Sequence, residues 1–298
     1  MRSDSALPGR EALRAACKEF GVDDRGAQLL HQRSNAVWML PDCELVARLA
    51  PNTNYRRERA EAAVTVTRWL TGAEEPVALT PASGHQPITI GDAIATFWPY
   101  RPSDDQPGPA DLGAVVRRLH AFPVPPFPVP RYRPLRRLFE ALALEEERPV
   151  PALAAPDREW LQKRAEMLVA AFARTRFPLG EGLIHADVHA ENAVRDSGQW
   201  VLIDWDQCCV GPRELDLVSG LPDHFHQPLD DRREFVAAYG YDLLDWPEWT
   251  LLRDITELHS LGSYIRLAPS KSAAAVELNH RLQSLKIGDR EAIWQAVS

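Results

Sequence analysis

The chain has 298 residues, a formal net charge of -8 and a pI of about 5.6, with 45% hydrophobic and 26% charged residues. That length can bury one large core or two ordinary ones, and the composition is that of a globular protein. The acidic balance excludes a general nucleic-acid binder, which would need a basic face, and no apolar run approaches membrane-spanning length. Cys17, Cys43, Cys208 and Cys209 lack metal-site spacing, and the stretch Met1 to Arg10 lacks the apolar core of an export signal. Reduced thiols in a cytoplasmic protein are expected.

Taken in order, Glu11 to Phe20 has helical spacing and ends at Gly21, a C-cap residue. His31 to Leu40 and Leu45 to Leu49 read as a hairpin, in which Ser34 and Asn35 by themselves suggest only a turn. Arg48 is a charge inside an apolar strand and needs a counter-charge. Tyr55 to Leu70 predicts a helix, with Glu58 and Glu61 near its start. Strand-like pieces follow at Val77 to Leu79, Pro87 to Ile90 and Ile94 to Trp98. The change from Trp98 to Pro99-Tyr100-Arg101-Pro102 marks a hinge. Pro109 to Phe122 predicts a helix with proline at its start, and the proline-rich Pro123 to Pro134 a stiff connection. Leu135 to Glu146 and Asp157 to Arg174 read as amphipathic helices.

Between Leu183 and Asp206 two short apolar runs, Gly182 to Ile184 and Trp200 to Ile203, each end in acidic residues. Carboxylates at the ends of buried strands need a cation or a proton partner. The turn Asp196-Ser197-Gly198 closes a hairpin, so Asp187, Asn192, Asp204 and Asp206 converge on one end of a small sheet. Oxygen donors of this kind suit magnesium better than zinc. Downstream, Asp216 to Glu257 holds ten acids against three arginines, a net of seven in a chain whose total is -8. Helices are expected at Trp249 to Leu267, Ala273 to Leu285 and Asp289 to Val297.

The run His185-Ala186-Asp187-Val188-His189-Ala190-Glu191-Asn192, followed by Ile203-Asp204-Trp205-Asp206, resembles the catalytic loop of the aminoglycoside phosphotransferase and choline kinase family. Gly211-Pro212-Arg213-Glu214-Leu215-Asp216-Leu217 also resembles that family, whereas Ala186 replaces its usual glycine. The resemblance implies an α+β, protein-kinase-like two-lobed fold, with a small antiparallel-sheet N-lobe and a mainly helical C-lobe. The N-lobe would be residues 1–98, the hinge 99–102 and the C-lobe 103–298. It also implies transfer of the γ-phosphoryl group of ATP or GTP, with Mg2+, to a hydroxyl of a small substrate.

On that resemblance Asp187 is the catalytic base, and Asn192, Asp204 and Asp206 hold the metal. Ser34, Asn35 and Arg48 meet the nucleotide phosphates, and the base sits near Trp98 and Tyr100. His185 and Asp216 brace the loop, and His189 is a structural or substrate contact. Glu58 or Glu61 would pair with Arg48, although the family's usual glutamate falls where this chain has Ala63. The substrate class implied is an antibiotic, aminoglycoside or nucleoside type, and the acidic segment Asp216 to Glu257 favours a cationic one. Three other readings stand beside it: a choline- or sugar-type metabolite kinase, a metal-dependent hydrolase built on His185, Asp187 and His189, and a non-catalytic kinase-like binding protein.

Overall fold

The structure, a computed structural model, describes residues 7–32, 35–72, 75–102 and 105–297. By packing it divides into two compact units, one of residues 1–130 and 182–210, the other of residues 131–181 and 211–298. This division groups the loop after Gly182 with the N-terminal sheet, whereas the lobe boundary expected at 99–102 assigns it to the helical lobe.

In chain order the elements are α1 (Arg10–Phe20), β1 (Gln28–Gln32), β2 (Ala36–Leu40), β3 (Leu45–Pro51), α2 (Asn54–Leu70), β4 (Ile88–Ile90), β5 (Ala93–Pro99) and α3 (Pro109–His120). They continue with α4 (Arg136–Glu147), α5 (Ala155–Phe172), β6 (Glu181–Ile184), β7 (Ala193–Asp196), β8 (Gln199–Leu202), β9 (Cys209–Pro212), α6 (Leu229–Tyr239), α7 (Trp249–Leu267) and α8 (Ser272–Ile287).

The first unit is built on an antiparallel sheet ordered β1-β2-β3-β5-β4. Side chains alternate along a strand, and on β3 this sends Ala47 and Leu49 into a core shared with Leu13, Ala16 and Cys17 of α1. Arg48 points to the other face. Helix α1 ends where Gly21 takes a left-handed φ of 84° and its N–H reaches the Cys17 carbonyl, and the Phe20 ring stacks on Phe97 at 4.1 Å. Helix α2 is capped by Thr53, whose hydroxyl accepts from the Arg56 N–H. The β7–β8 hairpin is tied in by Val77 to Leu79: Leu202 N–H donates to the Val77 carbonyl at 2.9 Å, and Leu79 N–H returns to Leu202 at 3.2 Å.

The second unit is a helical core in which Leu138, Ala141 and Leu142 of α4 meet Leu258, Leu261 and Ile265 of α7, with Leu161, Ala165, Leu278 and Leu282 around them. Gly262 permits the close approach of α7 to α4, since a Cβ there would lie 3.1 Å from the Arg137 carbonyl oxygen. Helix α6, strand β9 and the short helical turns of Arg213–Gly220 were not expected.

The helix expected over Asp289 to Val297 does not form: residues 289–297 are irregular. Their backbone groups are held by side chains of α7 and α8 and by a neighbouring carbonyl. Gln295 N–H donates to the Glu277 carboxylate at 2.8 Å, the Gln295 carbonyl accepts from Arg281 at 2.7 Å, Val297 N–H reaches the Tyr264 hydroxyl at 3.2 Å, and Trp294 N–H reaches the His224 carbonyl at 2.9 Å. Periodicity alone could not reveal partners supplied from elsewhere in the chain.

Burial alone would lift the Glu277 carboxyl, but hydrogen bonds from Arg281 and Gln295 and the Arg281 charge hold it below the ordinary carboxylate range. Its contribution is therefore complete at neutral pH and is lost as the pH falls below the ordinary value of 4.5 and through the lower folded value. Arg281→Met should destabilise the protein by about 3–5 kcal/mol by leaving that buried carboxylate without its guanidinium. The variant should also show a shallower loss of stability on acidification, measured by urea melts at neutral and acid pH.

Candidate active site

Strand β6 delivers the chain into His185, which is fully buried. Its Nε2 lies 2.8 Å from the Ile203 carbonyl, which can only accept, so the proton sits on Nε2. The ring meets Trp205 edge-on at 4.8 Å. His185 thus joins the start of the loop to the Ile203 strand end. The next residue, Ala186, takes a left-handed φ of 63°, a conformation that L side chains disfavour. Asp187 follows with its side chain 48% exposed and accessible to an incoming molecule. Asn192 Nδ2 donates to the Asp187 carbonyl at 2.9 Å and to its carboxylate at 3.3 Å, fixing the loop's two ends together. Ile203 N–H donates to the Asn192 carbonyl at 2.9 Å, which sets Asn192 beside the strand end carrying Asp204.

Arg48 reaches across from β3. Its Nη2 lies 2.7 Å from Asp204 Oδ1 and 3.0 Å from Asp206 Oδ2, with its side chain only 12% exposed. Burial alone would depress the guanidinium, but the Asp206 and Asp204 charges hold it above its ordinary value. Burial would likewise raise Asp204, yet the charge and hydrogen bond of Arg48 bring it below the usual carboxylate range, helped by His185 and the Asp206 N–H. Asp204 adopts a left-handed φ of 61°, which turns its side chain out of the strand direction. Asp206 Oδ2 also accepts from Asn35 Nδ2 at 2.9 Å, and Asn35 Oδ1 accepts from Arg56 at 2.9 Å.

One nitrogen touching both carboxylates shows that their oxygens lie within reach of a single point. The donor set, Asp204 and Asp206 with the Asn192 amide from the short turn Ala190–Asn192 before β7, is hard oxygen and fits a magnesium-type cation. Histidine and cysteine take no part, and among the described residues no group of three or more His, Cys, Asp or Glu could hold a metal. The hydrolase reading, which needed such a group around His185, Asp187 and His189, is without its metal cluster. His189 lies 3.9 Å from Asp187 with its side chain 45% exposed.

The remaining sequence candidates are placed as follows. Ser34 lies outside the described residues. Glu58 and Glu61 are exposed, and Arg48 takes its carboxylates from Asp204 and Asp206 instead; Ala63 is buried. Trp98 is buried and its indole N–H donates to Thr96 at 2.9 Å. Tyr100 N–H donates to the Glu44 carbonyl at 2.7 Å, and its carbonyl accepts from Arg101 at 3.0 Å, so its backbone is engaged locally. Asp216 is buried in the Arg213–Gly220 segment of the second unit. Sequence reasoning missed Arg56 and Arg59. Arg59 donates to the Gln207 and Cys208 carbonyls at 3.2 and 3.0 Å, securing the turn that carries Asp206. Their signal was the basic run Arg56-Arg57-Glu58-Arg59 at the start of α2.

Comparison with known proteins gives this geometry a context. The model of the phosphotransferase enzyme family matches residues 26–253. No curated protein sequence matches. Among solved structures, an amicoumacin kinase in complex with AMP-PNP, Ca2+ and Ami superimposes with a TM-score of 0.73 at 13% identity, covering 97% of this chain and 96% of that one. A choline/ethanolamine kinase family protein from Mesorhizobium loti gives 0.64 at 15% identity, over 94% and 96% of the two chains. A spectinomycin phosphotransferase in complex with ADP and spectinomycin gives 0.62 at 16% identity, over 92% and 93%. The fold is the α+β kinase-like fold expected. With the family match spanning most of its length, the chain belongs to the phosphotransferase enzyme family and is a phosphotransferase.

Proposed function

We propose that this phosphotransferase moves the γ-phosphoryl group of ATP or GTP onto a hydroxyl of a small antibiotic, and so confers resistance by modification. The observation that carries the reading is the convergence of Arg48, Asp204 and Asp206 beside the Asp187–Asn192 loop. Structural neighbours described with AMP-PNP or ADP and an antibiotic support it. A metabolite kinase acting on a small amino alcohol is the second reading, favoured by the choline/ethanolamine kinase likeness. All four cysteines are free, in keeping with a cytoplasmic site of action.

In this mechanism Asp187, exposed and steadied by Asn192, accepts the proton of the acceptor hydroxyl as the oxygen attacks. Asn192, Asp204 and Asp206 would hold Mg2+, which neutralises charge on the phosphate oxygens when bound. Arg48 leaves the two carboxylates and pairs with the phosphates in bidentate fashion. Asn35 and Arg56 hold Asp206 in place while it does so, and Ser34 and Asn35 cover the phosphates. Residues 99–102 form the hinge, with the base near Trp98 and Tyr100. Because reactants here need positioning more than covalent help, small displacements of these groups matter.

A phosphate-transfer screen over hydroxylated antibiotics and amino alcohols would identify the acceptor; turnover of the amino alcohols alone would favour the metabolite reading. With an acceptor in hand, Asp187→Asn should lower kcat by about two to four orders of magnitude while nucleotide affinity stays near wild type. Asp204→Asn should abolish magnesium-dependent nucleotide binding by calorimetry, and unchanged affinity would remove Asp204 from the metal site. Arg48→Met should raise the KM for nucleotide more than that for the acceptor, and the opposite pattern would place Arg48 away from the phosphates.

A further inference from the structure

The acidic excess of residues 216–257 suggested a cationic ligand, yet a cavity in the second unit is lined by arginines. It has a volume of about 350 Å³, within the range of small-molecule sites. Arg232, Arg253 and Arg290 line it together with His224 and His226. The carboxylates at its wall are Asp223, whose Oδ1 accepts the Phe225 N–H at 3.0 Å, and Glu291, which is exposed.

Two of the three guanidiniums are held from behind. Arg290 Nη1 sits 2.7 Å from each oxygen of the buried Glu257, and its Nη2 lies 3.3 Å from Asp254. Arg253 is 2.9 Å from the same Asp254 and lies over the Trp249 ring at 5.0 Å. Asp254 is shared further with Arg164 at 2.6 Å. The acids at this end of α7 are therefore already engaged by arginines, which fixes the guanidinium orientations. His224 completes the wall. It is buried, stacks on Trp294 at 4.2 Å, and has Nδ1 2.9 Å from the Ala292 carbonyl. That bond assigns the ring proton to Nδ1, so Nε2 accepts from Arg290 at 3.2 Å.

Arg232 is different. It lines the cavity, and among the described residues no carboxylate lies within ion-pair distance of its guanidinium. A guanidinium partly withdrawn from water without a counter-charge is unfavourable. An oxyanion inside the cavity would supply that counter-charge to the nitrogens that face it, and guanidinium geometry matches carboxylate and phosphate oxygens. We infer that the cavity bounded by Arg232, Arg253, Arg290 and His224 is a binding site for a small molecule carrying a carboxylate or phosphate group. The inference does not require the phosphotransfer chemistry proposed above.

The test is isothermal titration of the full chain with inorganic phosphate and, separately, with succinate. Wild type, Arg232→Met, Arg232→Gln and Arg48→Met are compared, with circular dichroism to establish that each is folded. Saturable binding is expected, weakened at least tenfold in both Arg232 variants and unchanged in Arg48→Met. Saturation by phosphate alone assigns a phosphate ester, and saturation by succinate alone a carboxylate. Absence of saturable binding overturns the inference, as does wild-type affinity in either folded Arg232 variant. Binding lost only in Arg48→Met would place the anion among the nucleotide-site residues and leave the proposed function standing without this cavity.

Discussion

A charge removed from water must find its opposite, and in the first unit that requirement falls on Arg48. A strand residue with its side chain 12% exposed cannot carry an unpaired guanidinium. Its partners, Asp204 and Asp206, come from more than 150 residues later in the chain. The pair of contacts fixes the position of the β7–β8 hairpin relative to β3, and the hairpin in turn carries Asn192 and the Asp187 loop. Asn35 and Arg56 extend the same network to β2 and α2. Arg59 ties α2 to the backbone of the turn that presents Asp206. The sheet, the helix and the hairpin are thus held in register by one small group of charges and amides.

The replacement of a helix carboxylate by strand-end carboxylates has a simple physical basis. Helix α2 turns Ala60, Ala62, Ala63 and Val64 inward, so it offers short apolar side chains where a glutamate would need room and solvent. Its charged residues lie on the other side, and those that reach the site are arginines. Positive charge therefore arrives from both the sheet and the helix, and negative charge from the hairpin alone. Such a division presents both signs of charge side by side at one place in the first unit.

What the amino-acid sequence made legible was whatever depends on short spacing. The loop from His185 to Asn192 and the acids after Ile203 could be read directly, because a strand, a turn and a strand place them together within twenty-odd residues. Helices α1, α2, α4 and α7 follow from their periodicity. Distant partnerships were not legible: Glu58 and Glu61 were nearer in sequence to Arg48 than Asp204 and Asp206, but the fold chose the latter pair. The stretch 289–297 has helical composition, yet its backbone is held by Glu277, Arg281 and Tyr264. Charge counting over 216–257 could not show which acids are already paired: Asp254 and Glu257 are engaged by Arg164, Arg253 and Arg290, two of them outside the counted segment.

Ala186 sits at a φ of 63°, a region that favours glycine. A methyl group in that conformation raises the folded state by about 1–2 kcal/mol. It also narrows the torsional freedom of the residue immediately before Asp187. The strain sits in the turn that leaves β6, where a stiffer residue precedes the Asp187 carboxylate. A glycine-bearing counterpart would be expected to melt later and to present that carboxylate over a wider arc.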